Sequence, residues 1–387
     1  MLISAARALT PSGGLHPWWV RVEGERITDA GQGTPPGSAD LTVGEGVLSP
    51  GFVDVHCHGG GGASFSEGAE AARAAAGAHG VRGTTTMLAS LVTDSVEELC
   101  RQAEALRPVI GPELGIAGVH LEGPWLSAEH RGAHELSQLT VPESGDVARL
   151  LATGLVRMVT VAPELPGGMD AVRQIAEAGA LPAVGHTGAD YAQTAAALDA
   201  GAKVGTHLFN AMPGLHHRRP GPVAALLEHQ ETFVEIIADG VHVHPRMVRL
   251  AFEQHPERMM LISDAMAAAG AADGVYTLGS LKVTVRDGVA RLHRADGEQG
   301  AIAGSTLTLD HAVRFGVHQA GIPLEKVLAA ASATPARMLR RGDIGHLGPG
   351  RRADLVVLDE DLRVERVMRA GRWIREGGSE RDLGDWE

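Results

Sequence analysis

The chain has 387 residues, of which 44% are hydrophobic and 3% aromatic, and its formal net charge is −13. This length suits two or three domains, or one α/β barrel with an additional small domain. The acidic charge argues against nucleic acid and against an anionic membrane surface as partners. The sequence shows no secretion signal and no apolar run of about 18 residues. Its two cysteines cannot build a disulfide framework, so we expect a soluble cytoplasmic protein.

The two ends of the chain share a pattern of short apolar runs separated by turns, with no convincing helix. These runs predict strands at 1–4, 18–22, 27–28, 354–358, 364–368 and 372–374. We therefore predict that residues 1–50 and 346–387 meet in one small β domain, a β-sandwich built from both termini, which the middle of the chain interrupts.

The middle of the chain, residues 51–345, alternates strand-like runs with Ala-rich helical stretches. The predicted strands are 51–55, 84–89, 116–121, 156–161, 182–185, 203–206, 233–238 and 259–263. The predicted helices between them are 70–79, 94–107, 169–178, 191–200 and 222–229. Eight such strands predict a (β/α)8 barrel of the α/β class. A doubly wound open sheet is the alternative, but no Gly-rich dinucleotide turn follows the first strand.

Residues 275–303 interrupt this alternation after the eighth predicted strand. Their alternating runs and the turn at Arg286-Asp287-Gly288 predict an inserted hairpin. Two further helices, near 307–320 and 324–339, are expected to complete the barrel.

Side chains that bind metals lie at the carboxyl ends of five predicted strands. They are His56 and His58, Glu122, His186, His207 and Asp264. In a barrel these strand ends meet at one mouth, where such folds place catalysis. His56 and His58 are two residues apart on a strand, so both rings face the same way. One histidine alone is more often a packed residue, but the whole set predicts a metal centre.

Imidazole and carboxylate ligands suit zinc, iron, manganese or cobalt as divalent ions, and the order of affinities alone does not choose among them. Such an ion lowers the pKa of a bound water to about 7. Asp264 is then the predicted general base toward water and the general acid toward the leaving group. The alternative interpretation of Asp264 is a helix N-cap.

Several motifs resemble those of the amidohydrolase superfamily, beginning with PGFVDVHCHG at residues 50–59. HLEGP at 120–124, GHT at 185–187, HLFNAM at 207–212 and SDA at 263–265 resemble one of its families, the N-acetylglucosamine-6-phosphate deacetylases. The resemblance extends over nearly the whole chain. It implies a homodimer that hydrolyses a small-molecule amino-sugar phosphate, N-acetylglucosamine 6-phosphate, to glucosamine 6-phosphate and acetate.

The same resemblance implies roles for the metal ligands. Glu122, His186 and His207 are similar to the family's tight metal triad. His56 and His58 match positions that hold a second metal in some relatives, with Glu122 bridging and Asp264 able to ligate. Many other members of the superfamily bridge their metals with a carboxylated lysine after the fourth strand, but residues 156–164 contain no lysine.

The resemblance also implies a set of substrate contacts. His134 would reach a sugar hydroxyl, His242 would bind the acetamido carbonyl, and Arg218 would pair with the 6-phosphate, with Arg219 as the alternative. The full set is Ala133, His134, Asn210, Ala211, Arg218, Asp239, Gly240, Val241, His242, Ile302, Ala303 and Gly304.

Three rival functions share part of these features. A cyclic-amide or deaminating amidohydrolase would have the metal site without the phosphate-binding loop that carries Arg218. A sugar-phosphate binding protein that has lost catalysis would have the pocket, although Asp264 argues against it. A structural metal is the weakest alternative, because structural sites usually take four ligands from nearby sequence.

Overall fold

The computed structural model describes residues 1–293 and 300–376. Its strands are β1 Leu2–Leu9, β2 Leu15–Glu23, β3 Arg26–Gln32, β4 Leu41–Val43, β5 Val47–Pro50, β6 Phe52–Cys57, β7 Gly59–Gly60, β8 Ala63–Ser64, β9 Thr84–Val92, β10 Ile116–Glu122, β11 Val156–Val161, β12 Leu181–Val184, β13 Val204–Gly205, β14 Phe233–Ile237, β15 Met259–Ile262, β16 Gly274–Leu278, β17 Leu281–Arg286, β18 Val289–Leu292, β19 Leu355–Leu358, β20 Val364–Arg369 and β21 Arg372–Glu376. Its α-helices are α1 Ala69–Gly80, α2 Val96–Leu106, α3 Ser144–Leu151, α4 Gly168–Glu177, α5 Tyr191–Asp199, α6 Gly221–Glu228, α7 Pro245–Gln254, α8 Leu309–His318, α9 Leu324–Ala331 and α10 Ala333–Met338.

Eight parallel strands form a barrel in the order β6, β9, β10, β11, β12, β13, β14 and β15. The ring closes where Cys57 pairs in parallel with Ala265 and the amide of His58 donates to the Ala265 carbonyl at 2.7 Å. Every residue of β9 is buried, as expected for a parallel strand covered on both faces. The predicted (β/α)8 barrel is confirmed.

A second sheet brings the two ends of the chain together in the order β21, β20, β19, β5, β1, β2 and β3, with β4 beside β1. Its centre is the antiparallel pair β5 and β19, in which Ser49 lies opposite Val356. Ile3, Val20 and Leu355 belong to a core that is separate from that of the barrel. The predicted boundaries at 50 and 346 stay a prediction, and residues 377–387 lie outside the described part of the chain.

The structure differs from the predicted elements in several places, and its short strands β4, β5, β7 and β8 were not predicted. Helices α3 and α7 were not predicted, although the Pro at the first position of α7 is a typical start signal. The predicted helix 324–339 is divided at Ser332, where the backbone leaves the helical region (φ −140°) and the hydroxyl donates to the Leu328 carbonyl. The predicted hairpin is part of a three-stranded antiparallel sheet, β16, β17 and β18, and residues 294–299 of the insertion lie outside the described chain.

Within residues 1–293 and 300–376, no helix combines the length and the apolar character that crossing a membrane requires.

Candidate metal centre

The structure brings all six predicted metal ligands together at the carboxyl-terminal mouth of the barrel. Their ligand atoms form two groups, each with all its atoms within 4.8 Å of one another. The first group consists of His56, His58, Glu122 and Asp264, and the second group of Glu122, His186 and His207. Glu122 belongs to both groups. All six side chains are buried or nearly so, which suits a dry site.

The Glu122 carboxylate lies at the centre of this arrangement. Its Oε1 is 3.0 Å from Nε2 of both His186 and His207. Its Oε2 is 3.2 Å from Nε2 of His58. Oε1 also lies 3.3 Å from Nε2 of His56, so the carboxylate contacts ring nitrogens of both groups, as a bridging carboxylate must.

Ring nitrogens within each group point at one another. The Nε2 atoms of His186 and His207 are 3.0 Å apart, and those of His56 and His58 are 3.2 Å apart. Two nitrogens bound to one tetrahedral zinc ion, each at about 2.0–2.1 Å, lie about 3.3 Å apart. The spacing and the mixed nitrogen and oxygen donors therefore fit a divalent transition metal.

Burial and charge set the protonation of these ligands. Burial raises the pKa of Asp264, but the charge of His56 and a hydrogen bond from His58 outweigh it and hold that pKa at about 2. Burial lowers the pKa of His186 to about 4, although the charge of Glu122 and its hydrogen bond raise that pKa. At neutral pH Asp264 is therefore a carboxylate and His186 a neutral ring, which are the forms that bind metals and accept protons.

Three of the ligands have an uncommon backbone conformation. His186, His207 and Asp264 follow the ends of β12, β13 and β15 with φ values of 48°, 25° and 49°. Non-glycine residues seldom adopt this left-handed region, because the Cβ crowds the backbone there. Such strained positions cluster at functional sites, where the surrounding structure holds them in place.

Three residues that support the metal ligands or His134 were missed in the sequence. The Oε2 atom of Glu235 lies 3.0 Å from Nδ1 of His56. Glu164 accepts hydrogen bonds from the Thr187 hydroxyl and the Gly188 amide, each at 2.5 Å, and so holds the turn that carries His186. Thr93 lies with Oγ1 2.8 Å from Nδ1 of His134. A detectable signal existed only for Glu235, which is a charged residue in the middle of an apolar strand.

A cavity of about 230 Å³ opens over the two groups. Seven of the predicted substrate residues line it: Ala133, His134, Asn210, Ala211, His242, Ile302 and Gly304. Leu278, at the end of β16 in the inserted sheet, also lines the cavity and was not predicted. Ala303 lies between two lining residues and is itself fully buried.

His134 and Asn210 already have protein partners. The Nε2 of His134 lies 3.2 Å from Glu122, so both of its ring nitrogens face protein atoms. The backbone amide of Asn210 donates to the His207 carbonyl at 3.0 Å. These two residues can contribute shape to the cavity, but a substrate group would have to replace an existing contact to bond with those atoms.

Asp239 lies behind His242 and orients it. Its Oδ2 is 2.7 Å from Nδ1 of His242, and its Oδ1 accepts the amides of Val241 and His242. Asp239 and Val241 line a neighbouring cavity of about 230 Å³, and Gly240 forms the turn between them with φ 76°. The predicted segment 239–242 therefore presents only His242 to the cavity over the metal ligands.

Arg218 is not brought to this cavity by its own chain. It is exposed, and its guanidinium lies 2.7 Å from Nε2 of His217. It lines a separate cavity of about 700 Å³ together with Pro213, His216 and Arg219. A contact between Arg218 and a phosphate over the metal ligands would therefore need the loop to move or a second subunit to supply the arginine.

The chain matches known proteins over most of its length. Residues 47–374 match the model of the amidohydrolase family. The chain is 36% identical to N-acetylgalactosamine-6-phosphate deacetylase from Escherichia coli O157:H7, over 84% of this chain and 87% of that protein. It is 37% identical to N-acetylglucosamine-6-phosphate deacetylase from Vibrio furnissii, over 91% of this chain and 86% of that one.

A solved structure is similar to the whole fold. It is a point mutant of N-acetyl-D-glucosamine-6-phosphate deacetylase from Mycobacterium smegmatis in complex with N-acetyl-D-glucosamine-6-phosphate. The two chains superpose with a TM-score of 0.92 at 46% sequence identity, over 97% of this chain and 99% of that one.

Proposed function

This chain belongs to the amidohydrolase family, and on that premise we propose that it hydrolyses the acetamido group of N-acetylglucosamine 6-phosphate, giving glucosamine 6-phosphate and acetate, a step of amino-sugar catabolism. One observation carries the proposal. Asp264 and His242 face the same cavity as two groups of metal ligands that share Glu122. A proton acceptor, a carbonyl-binding ring and a metal centre in one cavity are what amide hydrolysis requires.

The chemistry of the ligands supports one or two divalent ions, with zinc first and iron, manganese or cobalt as alternatives. A bound ion would supply a lowered water pKa and a polarised substrate carbonyl. The second group offers two imidazoles and one carboxylate, and the first offers two of each. The chain's own residues then perform the proton transfers.

Asp264 can serve both proton transfers of the reaction. Its carboxylate is ionised at neutral pH, so it can take a proton from the water whose oxygen bonds to the acetamide carbon. When the carbon–nitrogen bond breaks, the same proton can pass from Asp264 to the departing amine. Protonation of the amine stops it from attacking the acetate and re-forming the amide.

His242 is oriented to hold the acetamide oxygen. Burial lowers the pKa of His242, but the hydrogen bond and charge of Asp239 outweigh it, so the pKa is raised. Nδ1 donates to Asp239, so Nε2 is the nitrogen left to face the cavity, and it donates a hydrogen bond there when the ring is protonated, the form that the raised pKa favours. A donor there would stabilise the negative charge that develops on the carbonyl oxygen.

Acetate release tests the proposed function. We expect turnover of N-acetylglucosamine 6-phosphate to exceed that of unphosphorylated N-acetylglucosamine and of cyclic amides. N-acetylgalactosamine 6-phosphate is the second candidate substrate, because the relative from Escherichia coli O157:H7 carries that name. The ratio of kcat/KM for the two 6-phosphates identifies the preferred sugar. Tight sugar-phosphate binding without acetate release would instead favour a binding protein.

We also propose that the protein acts as a homodimer in the cytoplasm. The exposed Arg218, outside the cavity of its own chain, is in a position from which it could contribute to a neighbouring subunit. Cys57 and Cys100 are both unpaired thiols, which is typical of a reducing compartment.

Arg218→Ala is expected to raise KM for the 6-phosphate substrate roughly 10- to 100-fold, because a charge-assisted contact to a dianion is lost. KM for unphosphorylated N-acetylglucosamine should change little. Arg219→Ala tests the alternative arginine in the same way, since Arg219 is adjacent and exposed. Steady-state kinetics on both substrates provides the measurement. An unchanged ratio of the two KM values would remove Arg218 from the phosphate site.

Mixed dimers decide which subunit supplies the arginine. Subunits carrying Arg218→Ala lack the phosphate contact, and subunits carrying Asp264→Asn lack the proton acceptor. If the arginine acts across the interface, a mixed dimer contains one complete site and recovers activity. Absence of recovery in verified mixed dimers would place Arg218 in the site of its own subunit.

A further inference from the structure

Glu235 is a buried charge in the middle of β14, an otherwise apolar strand of the barrel. Its side chain has no exposure to solvent. Burial of a carboxylate costs free energy unless hydrogen bonds or opposite charges compensate for it. A leucine or valine at this position would pack without that cost. The contacts of the carboxylate should therefore show what role it has.

The partners of Glu235 are metal ligands. Its Oε2 lies 3.0 Å from Nδ1 of His56 and accepts the backbone amide of His207 at 3.2 Å. Its Oε1 is a buried atom without a hydrogen-bond partner in the described chain. Within the described chain the carboxylate has these two hydrogen-bond contacts, and through them it reaches both groups of ligands.

The contact with His56 fixes the direction of the ring. A histidine that gives Nδ1–H to a carboxylate presents Nε2 as its free lone pair. The Nε2 of His56 lies 3.3 Å from Glu122 and 3.5 Å from Asp264, at the centre of the first group. Without Glu235, the ring could rotate or take the other tautomer, and this nitrogen would no longer be directed at an ion.

The two groups do not depend on Glu235 equally. In the second group, Nδ1 of His186 lies 2.9 Å from the His130 carbonyl, and Nδ1 of His207 has no hydrogen-bond partner in the described chain. Glu235 touches the second group only through the backbone of His207. The carboxylate therefore supports a ligand ring in the first group and none in the second.

We propose that Glu235 is a positioning residue that holds the His56 ring and so sets the affinity of the first group for its metal ion, with little effect on the second group. The proposal rests on the proposed function, because it takes both groups to hold ions. Glu235 would then determine whether the enzyme binds one metal ion or two.

Zinc content at controlled free zinc tests the proposal. The variants are Glu235→Leu, which removes the carboxylate, and Glu235→Gln, which keeps an oxygen that can accept from His56. Thr160→Val is the matched control, since Thr160 is equally buried in the barrel interior but lies against His120 and Thr206. Each protein is equilibrated with chelator-buffered zinc, and bound zinc per chain is measured by mass spectrometry.

The wild type is expected to bind two zinc ions per chain. In Glu235→Leu, half-saturation of one ion should move to roughly 10- to 100-fold higher free zinc, while the other ion stays within about twofold. Glu235→Gln should show a smaller shift of the same ion, and Thr160→Val should match the wild type. This pattern separates ring positioning from general loss of structure.

Three results would overturn the proposal. They are equal weakening of both ions in Glu235→Leu, unchanged zinc binding in that variant, and a wild type that binds one ion in total. Acetate release by the zinc-saturated wild type is measured separately. Loss of the proposed function would appear there as absent acetate release with normal zinc binding, so the two failures are distinguishable.

Discussion

Asp264→Asn is expected to lower kcat for N-acetylglucosamine 6-phosphate by roughly 10²- to 10⁴-fold, while substrate affinity stays near that of the wild type. Asparagine keeps nearly the same volume but cannot take the proton from water. Asp264 is the only member of the metal groups that the proposed mechanism also uses for proton transfer. The measurements are kcat from acetate release and the substrate Kd from calorimetry.

Zinc content is the necessary control for this variant, because Asp264 also belongs to the first group of ligands. If Asp264→Asn binds as much zinc as the wild type, the loss of turnover belongs to proton transfer. If the variant binds as much zinc as the wild type and its turnover is near normal, the proposed mechanism is contradicted. Asp264 would then have a structural role and no role in proton transfer. Asp239→Asn should act differently, since Asp239 only orients His242 and its loss should affect carbonyl binding.

The barrel could be predicted from the sequence because its strands are short apolar runs of regular spacing, buried on both faces. The predicted strand 156–161 agrees with the observed β11, Val156–Val161. Helix α3 has eight residues and buries only Val147 and Leu150, so few residues mark it in the sequence. The break at Ser332 comes from a side chain competing for backbone hydrogen bonds, and Ala-rich neighbours conceal it in the sequence.

The clustering of the candidate metal ligands could be predicted because parallel strands place their carboxyl ends at one mouth, so chain order alone brings Glu122 near His207. Supporting contacts depend on side-chain directions across the barrel, which spacing along the chain does not encode. Glu235 reaches His56 although β15 lies between their strands in the sheet. The surroundings of Arg218 depend on how a long loop folds, and the loop has no periodic pattern.

Among the residues that the structure describes, Glu122 is the one that both groups of candidate metal ligands share. Each of its oxygens faces a different set of ring nitrogens, and its side chain is almost completely buried. Burial raises the pKa of Glu122, but the charges of His56, His186 and His134 outweigh it and hold that pKa well below the usual range. At neutral pH the residue is therefore a carboxylate surrounded by imidazoles, ready to bind two cations.

Glu122→Ala is expected to abolish bound zinc and acetate release together, since both groups lose their shared ligand. His58→Ala is the matched control, because His58 belongs to the first group alone, and one zinc ion per chain should remain in that variant. Zinc at 100 times its Kd stabilises a folded protein by about 2.7 kcal/mol per site, so zinc should raise the Tm of His58→Ala but not of Glu122→Ala. Mass spectrometry of bound zinc and thermal unfolding with and without zinc make the comparison. Retention of one tightly bound ion in Glu122→Ala would show that the two groups do not depend on a shared carboxylate, and that one set of histidines is sufficient to hold metal.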